Sequence, residues 1–428
     1  MGNTFWINFY NVIVVPIFFV LLKLTALISP KIKTALQERK NLFIDLKNSI
    51  NILDKQKINL WFHSSSVGEF EQAKPIIEKL IASRKFNIIT SFLSPSGFKS
   101  AKRYEFSDLV TYYPFDSLKN IKQFIDLIDP PALILMRYDI WPNSVYEMTR
   151  RKKPVILVDA TMKKNSPRKY PIIKKFHKHL FSHFTRIFTI SEDDKNEFLS
   201  FGIEESKLKV AGDTRYDRVF QKSQSSSTQK IINEKIIEGK KIFVAGSTWK
   251  EDEEILLPVI IKLHQRDQNL LSIVVPHEPT IQNLEQIEYE LRSKITSIRF
   301  SRLNQYNNEK IIIVDSIGIL LILYSYAHVA FVGGGFKSNI HNILEPAVYG
   351  IPVIFGPKYS NSQEAFKFLE AQAGFSVKNK REMYRYLRKI LINENFRIKT
   401  GTNAQNFVIS NTGATDRIVN ELIQIIKS

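Results

Sequence analysis

The sequence predicts an α/β protein of two lobes, each a mainly parallel sheet covered by helices on both faces, preceded by an N-terminal membrane-anchor helix. Three observations lead there: an apolar N-terminal stretch, short apolar runs alternating with amphipathic helical stretches, and a serine-rich segment after which that rhythm restarts. Residues 5–29 are dominated by Ile, Val, Phe and Leu, with Asn8, Asn11, Pro16 and Lys23 among them. That is long enough for a bilayer core, which takes roughly 20 apolar residues, while Lys23 and Pro16 keep open a helix lying in the interface instead. There is no basic leader and no small-residue cleavage site, so residues 1–30 read as an anchor rather than a removable signal. Lys31, Lys33, Arg39 and Lys40 follow directly and place the body on the cytoplasmic side by the positive-inside tendency.

In the first lobe, 31–222, strands are expected at 58–62, 86–91, 132–135, 154–158 and 186–190. Residues 221–230 are polar and lack apolar anchors, which puts a linker at 223–232. In the second lobe, 233–428, strands are expected at 241–245, 271–275, 310–314, 329–332 and 352–355. Ligands of open α/β sheets bind beyond the carboxyl ends of the strands, so each lobe should lend loops to one cleft.

Composition narrows the chemistry. The 428 residues contain no cysteine, which excludes disulfides, thiolate metal sites and a cysteine nucleophile. A net charge of +19 favours a polyanionic partner: nucleic acid, anionic lipid or a phosphorylated substrate. The basic residues are dispersed and no nucleic-acid motif occurs, so no nucleic-acid partner is expected. The eight histidines show no close metal-ligand spacing and there is no Asp-x-Asp pair, so neither a metal nor any other cofactor is expected. A Gly-x-Ser-x-Gly elbow, a Walker lysine loop and a Gly-x-Gly-x-x-Gly fingerprint are likewise missing.

Candidate site residues stand where strands end. Ser66, Gly68 and Glu69 close the segment Trp61-Phe62-His63-Ser64-Ser65-Ser66-Val67-Gly68-Glu69-Phe70 at the start of a helix. The helix dipole favours an ionised Glu69, and Gly68 lets a bulky acceptor approach. A general base and a plain N-terminal helix carboxylate both fit. Asp139, in the loop from Met136 to Asn143, could stabilise charge or cap the next helix. Arg215 could neutralise a phosphate or carboxylate, or form a surface ion pair. In the second lobe Ser247, Thr248, Pro276 and His277 end strands. Gly333, Gly334 and Gly335, followed by Asn339, His341, Asn342 and Glu345, read as a strand, a glycine turn and a helix. Such a turn can cradle a phosphate, and a carboxylate at Glu345 could accept hydrogen bonds from ribose hydroxyls. A tight strand-to-helix turn without a ligand fits as well.

Taken together, the Ser66-Val67-Gly68-Glu69 loop, Ser94-Pro95-Ser96-Gly97, Trp141-Pro142-Asn143, Ala245-Gly246-Ser247-Thr248, the run from Phe331 to Gly334 and His341-Asn342-x-x-Glu345-Pro346-Ala347 resemble the 3-deoxy-D-manno-octulosonic acid (Kdo) transferases. The resemblance covers most of the chain, including the N-terminal anchor. It implies two Rossmann-like lobes of the glycosyltransferase B type, a CMP-Kdo donor bound by the second lobe, and a phosphorylated lipid A precursor as acceptor at the first. It also implies an anionic inner-membrane surface as a partner. By the same resemblance Glu69 is the general base, Asp139 and Arg215 assist the transition state, and Pro276, His277, Ile317, Gly318, Ile319 and the residues from Asn342 to Glu345 contact CMP. The chain departs from the commoner family pattern at Arg137 and Asp139, where Glu-x-Glu is usual, at Arg215, where lysine is common, and at His277, where many members have arginine. Two rivals stay open: a UDP-sugar transferase or epimerase of the same fold, and a non-catalytic basic membrane- or nucleic-acid-binding protein.

Overall fold

The computed structural model describes residues 2–360 and 362–427, apart from the side chains of 2–4 and Lys31. Lys31 of the basic stretch therefore lies outside the described side chains. The chain forms two compact units, 1–218 with 412–428, and 219–411.

The first unit holds a seven-stranded sheet of β1 (Ile58–Ser64), β2 (Phe86–Phe92), β3 (Leu109–Tyr112), β4 (Leu133–Met136), β5 (Val155–Ala160), β6 (Arg186–Thr189) and β7 (Leu208–Val210), in the order β3-β2-β1-β4-β5-β6-β7. The second holds β8 (Lys241–Thr248), β9 (Leu270–Pro276), β10 (Ser297–Arg299), β11 (Ile311–Ile313), β12 (Val329–Val332), β13 (Val353–Phe355) and β14 (Gly374–Ser376), in the order β10-β11-β9-β8-β12-β13-β14. All pairings are parallel. Parallel strands need both faces covered, and two apolar clusters flank each sheet. The direction of winding reverses between β1 and β4 in the first sheet and between β8 and β12 in the second. Loops that leave the carboxyl ends of those strands diverge and open a crevice.

The ten expected strands are present, and four more appear: β3, β7, β10 and β14. All four are sheet edges. They are three or four residues long and partly exposed, so they lack the continuous apolar run that marks a buried strand.

The expected division at 222 and 233 moves. Helix Thr214–Ser226 runs through most of the serine-rich segment, and Ser223 and Ser226 are buried within it. Small hydroxyl side chains let a neighbour approach closely without an apolar anchor, so the letters alone read as linker. The C-terminal helix Ala414–Lys427 belongs to the first unit, where Ile418, Val419 and Leu422 join the core on one face of the sheet. Its start is fixed by Asp217, whose carboxylate accepts from the N–H groups of Gly413 and Thr415, each at 2.6 Å.

At the N-terminus, one helical stretch, Phe5–Ile28, is long and apolar enough to cross a membrane, with mean hydropathy 2.4. One side of it is fastened to the first unit through a π-helical turn, Tyr10–Val14. Tyr10 donates to Asp116 at 2.9 Å, and the Asn11 and Asn143 amides exchange hydrogen bonds at 2.7 and 2.9 Å. Phe18 packs edge-on against Trp141. The Trp141-Pro142-Asn143 motif is therefore the seat of this segment.

Candidate active site

Glu69 and Asp139 follow β1 and β4, the two strands at the switch point of the first sheet. Ser66 caps helix Val67–Ile81, its hydroxyl accepting from the Glu69 N–H at 3.4 Å. Glu69 reaches back: its Oε2 accepts from the N–H groups of Ser65 at 2.7 Å and Ser66 at 3.2 Å. Oε1 accepts no hydrogen bond among the described residues. A carboxylate that caps a helix thus keeps one oxygen for other chemistry. Glu69 is buried, and burial first, then the charge of Asp139, raises its pKa against the opposing amides of Ser65 and Ser66 and the effect of His63. A raised pKa strengthens it as a base. Nothing in the fold demands a glycine at 68, because a Cβ there would meet only the Ser66 hydroxyl, at 3.9 Å. The missing side chain leaves room beside the carboxylate.

Asp139 shows the same division. Its Oδ2 takes the Nε2 of His63 at 2.9 Å, the indole N–H of Trp141 at 3.2 Å and the Ser65 hydroxyl, while Oδ1 accepts no hydrogen bond among the described residues. It does not cap the following helix, Pro142–Arg150, whose N-cap position is Trp141 and carries no side-chain cap.

Arg215 forms an ion pair, and its partner is buried rather than superficial. Its guanidinium holds the Asp213 carboxylate at 2.9 and 2.7 Å, and Asp213 is only 5% exposed. Burial works to raise the pKa of Asp213, but Arg215 and, more weakly, Arg137 bring it below the ordinary range. Asp159, at the end of β5, is pushed up to about 7 by burial and by Asp213, against the hydrogen bonds of Thr214 and the charge of Arg137. Arg137, where the commoner pattern has an acid, thus offsets a buried acidic pair.

In the second unit the switch point brings Ser247 and Thr248, the last residues of β8, beside the glycine turn after β12. The packing there is backbone on backbone. A Cβ at Gly333 would lie 2.2 Å from the Ser247 carbonyl oxygen, and Gly334 has φ +88°. The turn differs from the expected phosphate cradle. The N–H groups of Gly334 and Phe336 donate to the Asp252 carboxylate at 2.7 and 3.1 Å, and the Trp249 N–H donates to it at 3.0 Å. A buried acid thus takes amides that a phosphate would otherwise use. The helix after the turn is also short, Leu344–Ala347, so little dipole gathers there.

What gathers instead is a cluster of rings and a cation. His277 and His341 stack with centroids 4.4 Å apart, Trp249 lies 4.6 Å from His277, and Lys337 Nζ sits 3.1 Å above the Trp249 ring. The Trp249 indole N–H donates to His341 Nε2 at 3.0 Å. Burial, with His277 and Lys337 nearby, lowers the pKa of His341 to about 4, so its ring is neutral. Lys337 supplies a positive charge over the Trp249 ring and near His341. The Thr248 hydroxyl is committed to Glu253 at 2.7 Å. Pro276 ends β9, while Ile317 and Gly318 are exposed in the loop after β11 and Ile319 is partly buried against the core. Asn342 donates to Glu345 at 3.2 Å and accepts from the Leu344 N–H at 3.1 Å. Gly335 lies against Gly356, and Asn339 carries the carbonyl that Gly334 packs on.

Sequence reasoning missed His63, Ser65 and Asp252. His63 had one available signal, its place on β1 six residues before Glu69. Asp252 had none, because nothing local links it to a turn more than eighty residues away. Among the described residues no group of three or more His, Asp or Glu side chains could hold a metal ion.

Residues 35–218 match the family described as 3-Deoxy-D-manno-octulosonic-acid transferase (kdotransferase). The chain is 31% identical over 336 residues to the 3-deoxy-D-manno-octulosonic acid transferase of Aquifex aeolicus, a match that covers 78% of this chain and 86% of that protein. It is 30% identical over 370 residues, 83% of its length, to a bifunctional glycosyltransferase/methyltransferase of Fusobacterium nucleatum, and spans 56% of that longer protein. Its fold is similar to that of a UDP-GlcNAc 2-epimerase from Neisseria meningitidis, with a TM-score of 0.62, 15% identity and coverage of 86% of this chain and 100% of that one. That likeness carries the two-lobed fold, while the sequence matches carry the family: this chain belongs to the 3-deoxy-D-manno-octulosonic acid transferases and is a glycosyltransferase.

Proposed function

We propose that the protein moves Kdo from CMP-Kdo to a hydroxyl of a phosphorylated lipid A precursor, lipid IVA, with inversion at the anomeric carbon and with Glu69 as general base. The observation that carries this reading is the divided Glu69 carboxylate. Oε2 is spent on the helix cap, whereas Oε1 accepts no hydrogen bond among the described residues and lies in a buried setting that raises the carboxylate's affinity for a proton. In the reaction the acceptor O–H proton passes to Glu69 Oε1 as the oxygen bonds to the anomeric carbon. The bond from that carbon to the phosphate oxygen breaks, and CMP leaves with the electron pair.

Asp139 and Arg215 assist from the same unit. Asp139 offers Oδ1 to the incoming groups and its charge keeps Glu69 basic. Arg215, held by Asp213, presents a cation toward developing negative charge. Donor binding is assigned to the second unit. Lys337 and His277 meet the phosphate, and Ser66, Ser247, Thr248, Pro276, the turn from Ile317 to Ile319, Gly334, Gly335, Asn339, His341, Asn342 and Glu345 stand as contacts of substrate or nucleotide. With Gly334 and Phe336 amides occupied, this reading gives more of the phosphate charge to Lys337 than to the turn. The apolar N-terminal stretch holds the enzyme at the inner membrane with its catalytic units on the cytoplasmic face, where confinement with a lipid acceptor raises their effective concentration.

The test is a transfer assay on the full chain with CMP-Kdo and a tetra-acylated lipid A precursor in EDTA, with UDP-GlcNAc as the competing donor. Product from CMP-Kdo alone, with inverted anomeric configuration by NMR, is expected. Product only from the UDP-sugar, or only after a divalent metal is restored, contradicts the reading.

A further inference from the structure

We infer that His63 is a positioning residue for the Asp139 carboxylate, fixing Oδ2 so that Oδ1 alone faces the substrate. This rests on the proposed role of Asp139. The His63 ring is fully buried at the end of β1, its centroid 4.4 Å from that of the Tyr113 ring, which is tilted by 44°. It is the middle link of a hydrogen-bond chain across β1, β2 and the loop after β4. The Trp61 indole N–H donates to the Ser91 hydroxyl at 2.8 Å. That hydroxyl lies 2.9 Å from His63 Nδ1, with the Phe62 carbonyl as its longer alternative at 3.5 Å. When Ser91 donates to Nδ1, the ring proton sits on Nε2 and donates to Asp139 Oδ2 at 2.9 Å.

The Ser91 carbonyl, 3.0 Å from Nδ1, can be a partner only when Nδ1 also carries a proton. In that doubly protonated ring Nε2 again donates to Asp139. The remaining tautomer would aim a nitrogen lone pair at a carboxylate, which is repulsive. Both acceptable states therefore give Asp139 the same donor in the same place. The arrangement also accounts for the aspartate in this chain. Its short side chain is reached from the scaffold by His63, Ser65 and Trp141, which occupy one oxygen and leave the other exposed to the site.

A double-mutant cycle on the full chain tests this, using His63→Leu, Asp139→Asn and the pair, with kcat and the KM for CMP-Kdo measured separately. A hydrogen bond to a charged group is worth a loss of about 10- to 100-fold. His63→Leu should lower kcat by that factor and leave the donor KM unchanged, and adding it to Asp139→Asn should cost little more. His63→Gln, which keeps an N–H donor, should recover most of kcat. Losses that multiply in the double variant, or an unchanged kcat in His63→Leu, overturn the inference. Should His63→Leu fail to fold, Ser91→Ala takes its place, expected to lower kcat several-fold, with an unchanged kcat as the contrary result. Nitrogen NMR of the His63 ring gives a readout independent of transfer. A proton on Nε2 is required, so a wild type without Kdo transfer but with that proton would count against the proposed reaction and not against the hydrogen-bond chain.

Discussion

The two units share an architecture and use it in opposite ways. At the switch point of the first sheet, side chains gather: Glu69 and Asp139 each commit one carboxylate oxygen to the scaffold and keep the other. At the switch point of the second, backbones gather: Gly333 packs against Ser247, and Asp252 takes the amides of the glycine turn. A site made of side chains leaves functional atoms over after the fold is satisfied. A glycine turn can be consumed by the fold itself, and here much of it is.

The sharpest way to break this contrast is to add one methyl group on each side. Gly333→Ala drives a Cβ into the Ser247 carbonyl, so it should cost about 3 kcal/mol or more, read as loss of the folded second unit in thermal unfolding. Gly68→Ala should leave the melting temperature within the range of a surface change yet lower transfer, because it occupies space and not structure. A functional turn at 333 that tolerates alanine would reverse the assignment.

Asp252→Ala removes the acceptor of three amides and should destabilise the second unit by about 3 kcal/mol in denaturant unfolding. Donor affinity by calorimetry should fall with it. If the variant instead bound CMP more tightly, the freed amides would be phosphate ligands after all and the contrast would weaken.

A pH experiment sharpens the first unit. The Asp159 pKa is raised to about 7 in the folded protein from an ordinary value near 3.8. Its stabilising protonation is therefore complete below about pH 4 and lost as pH rises to about 7. The melting temperature of wild type relative to Asp159→Asn should rise as pH falls from 7 to 5. A flat difference would mean that Asp159 is ionised throughout. The smallest effect on stability is Ser66→Ala, about 1 kcal/mol from the lost cap, read in thermal unfolding.

How much of this was legible follows from where the information resides. Buried central strands announce themselves as apolar runs, and all ten were readable, whereas β3, β7, β10 and β14 are edges with too little apolar face to show. The capping position of Glu69 was readable from its spacing to Ser66, but the vacancy of Oε1 is a property of three dimensions. The same holds for Asn143, whose partner Asn11 lies in the N-terminal segment, and for His63, whose meaning depends on Ser91 and Asp139 from other strands. Gly334 gave the opposite lesson. Its letter marks a turn, which the backbone takes with φ +88°, yet the carboxylate that fills the turn comes from Asp252 in a helix after β8.

The most direct measurement of the central claim is single-turnover Kdo transfer by Glu69→Gln, with unfolding followed on the same sample. Glutamine can still accept from the Ser65 and Ser66 amides through its carbonyl oxygen but cannot take the acceptor proton. A fold close to wild type with transfer reduced about 10²- to 10⁴-fold is predicted. Transfer near the wild-type rate would contradict it and leave Glu69 as a helix cap alone.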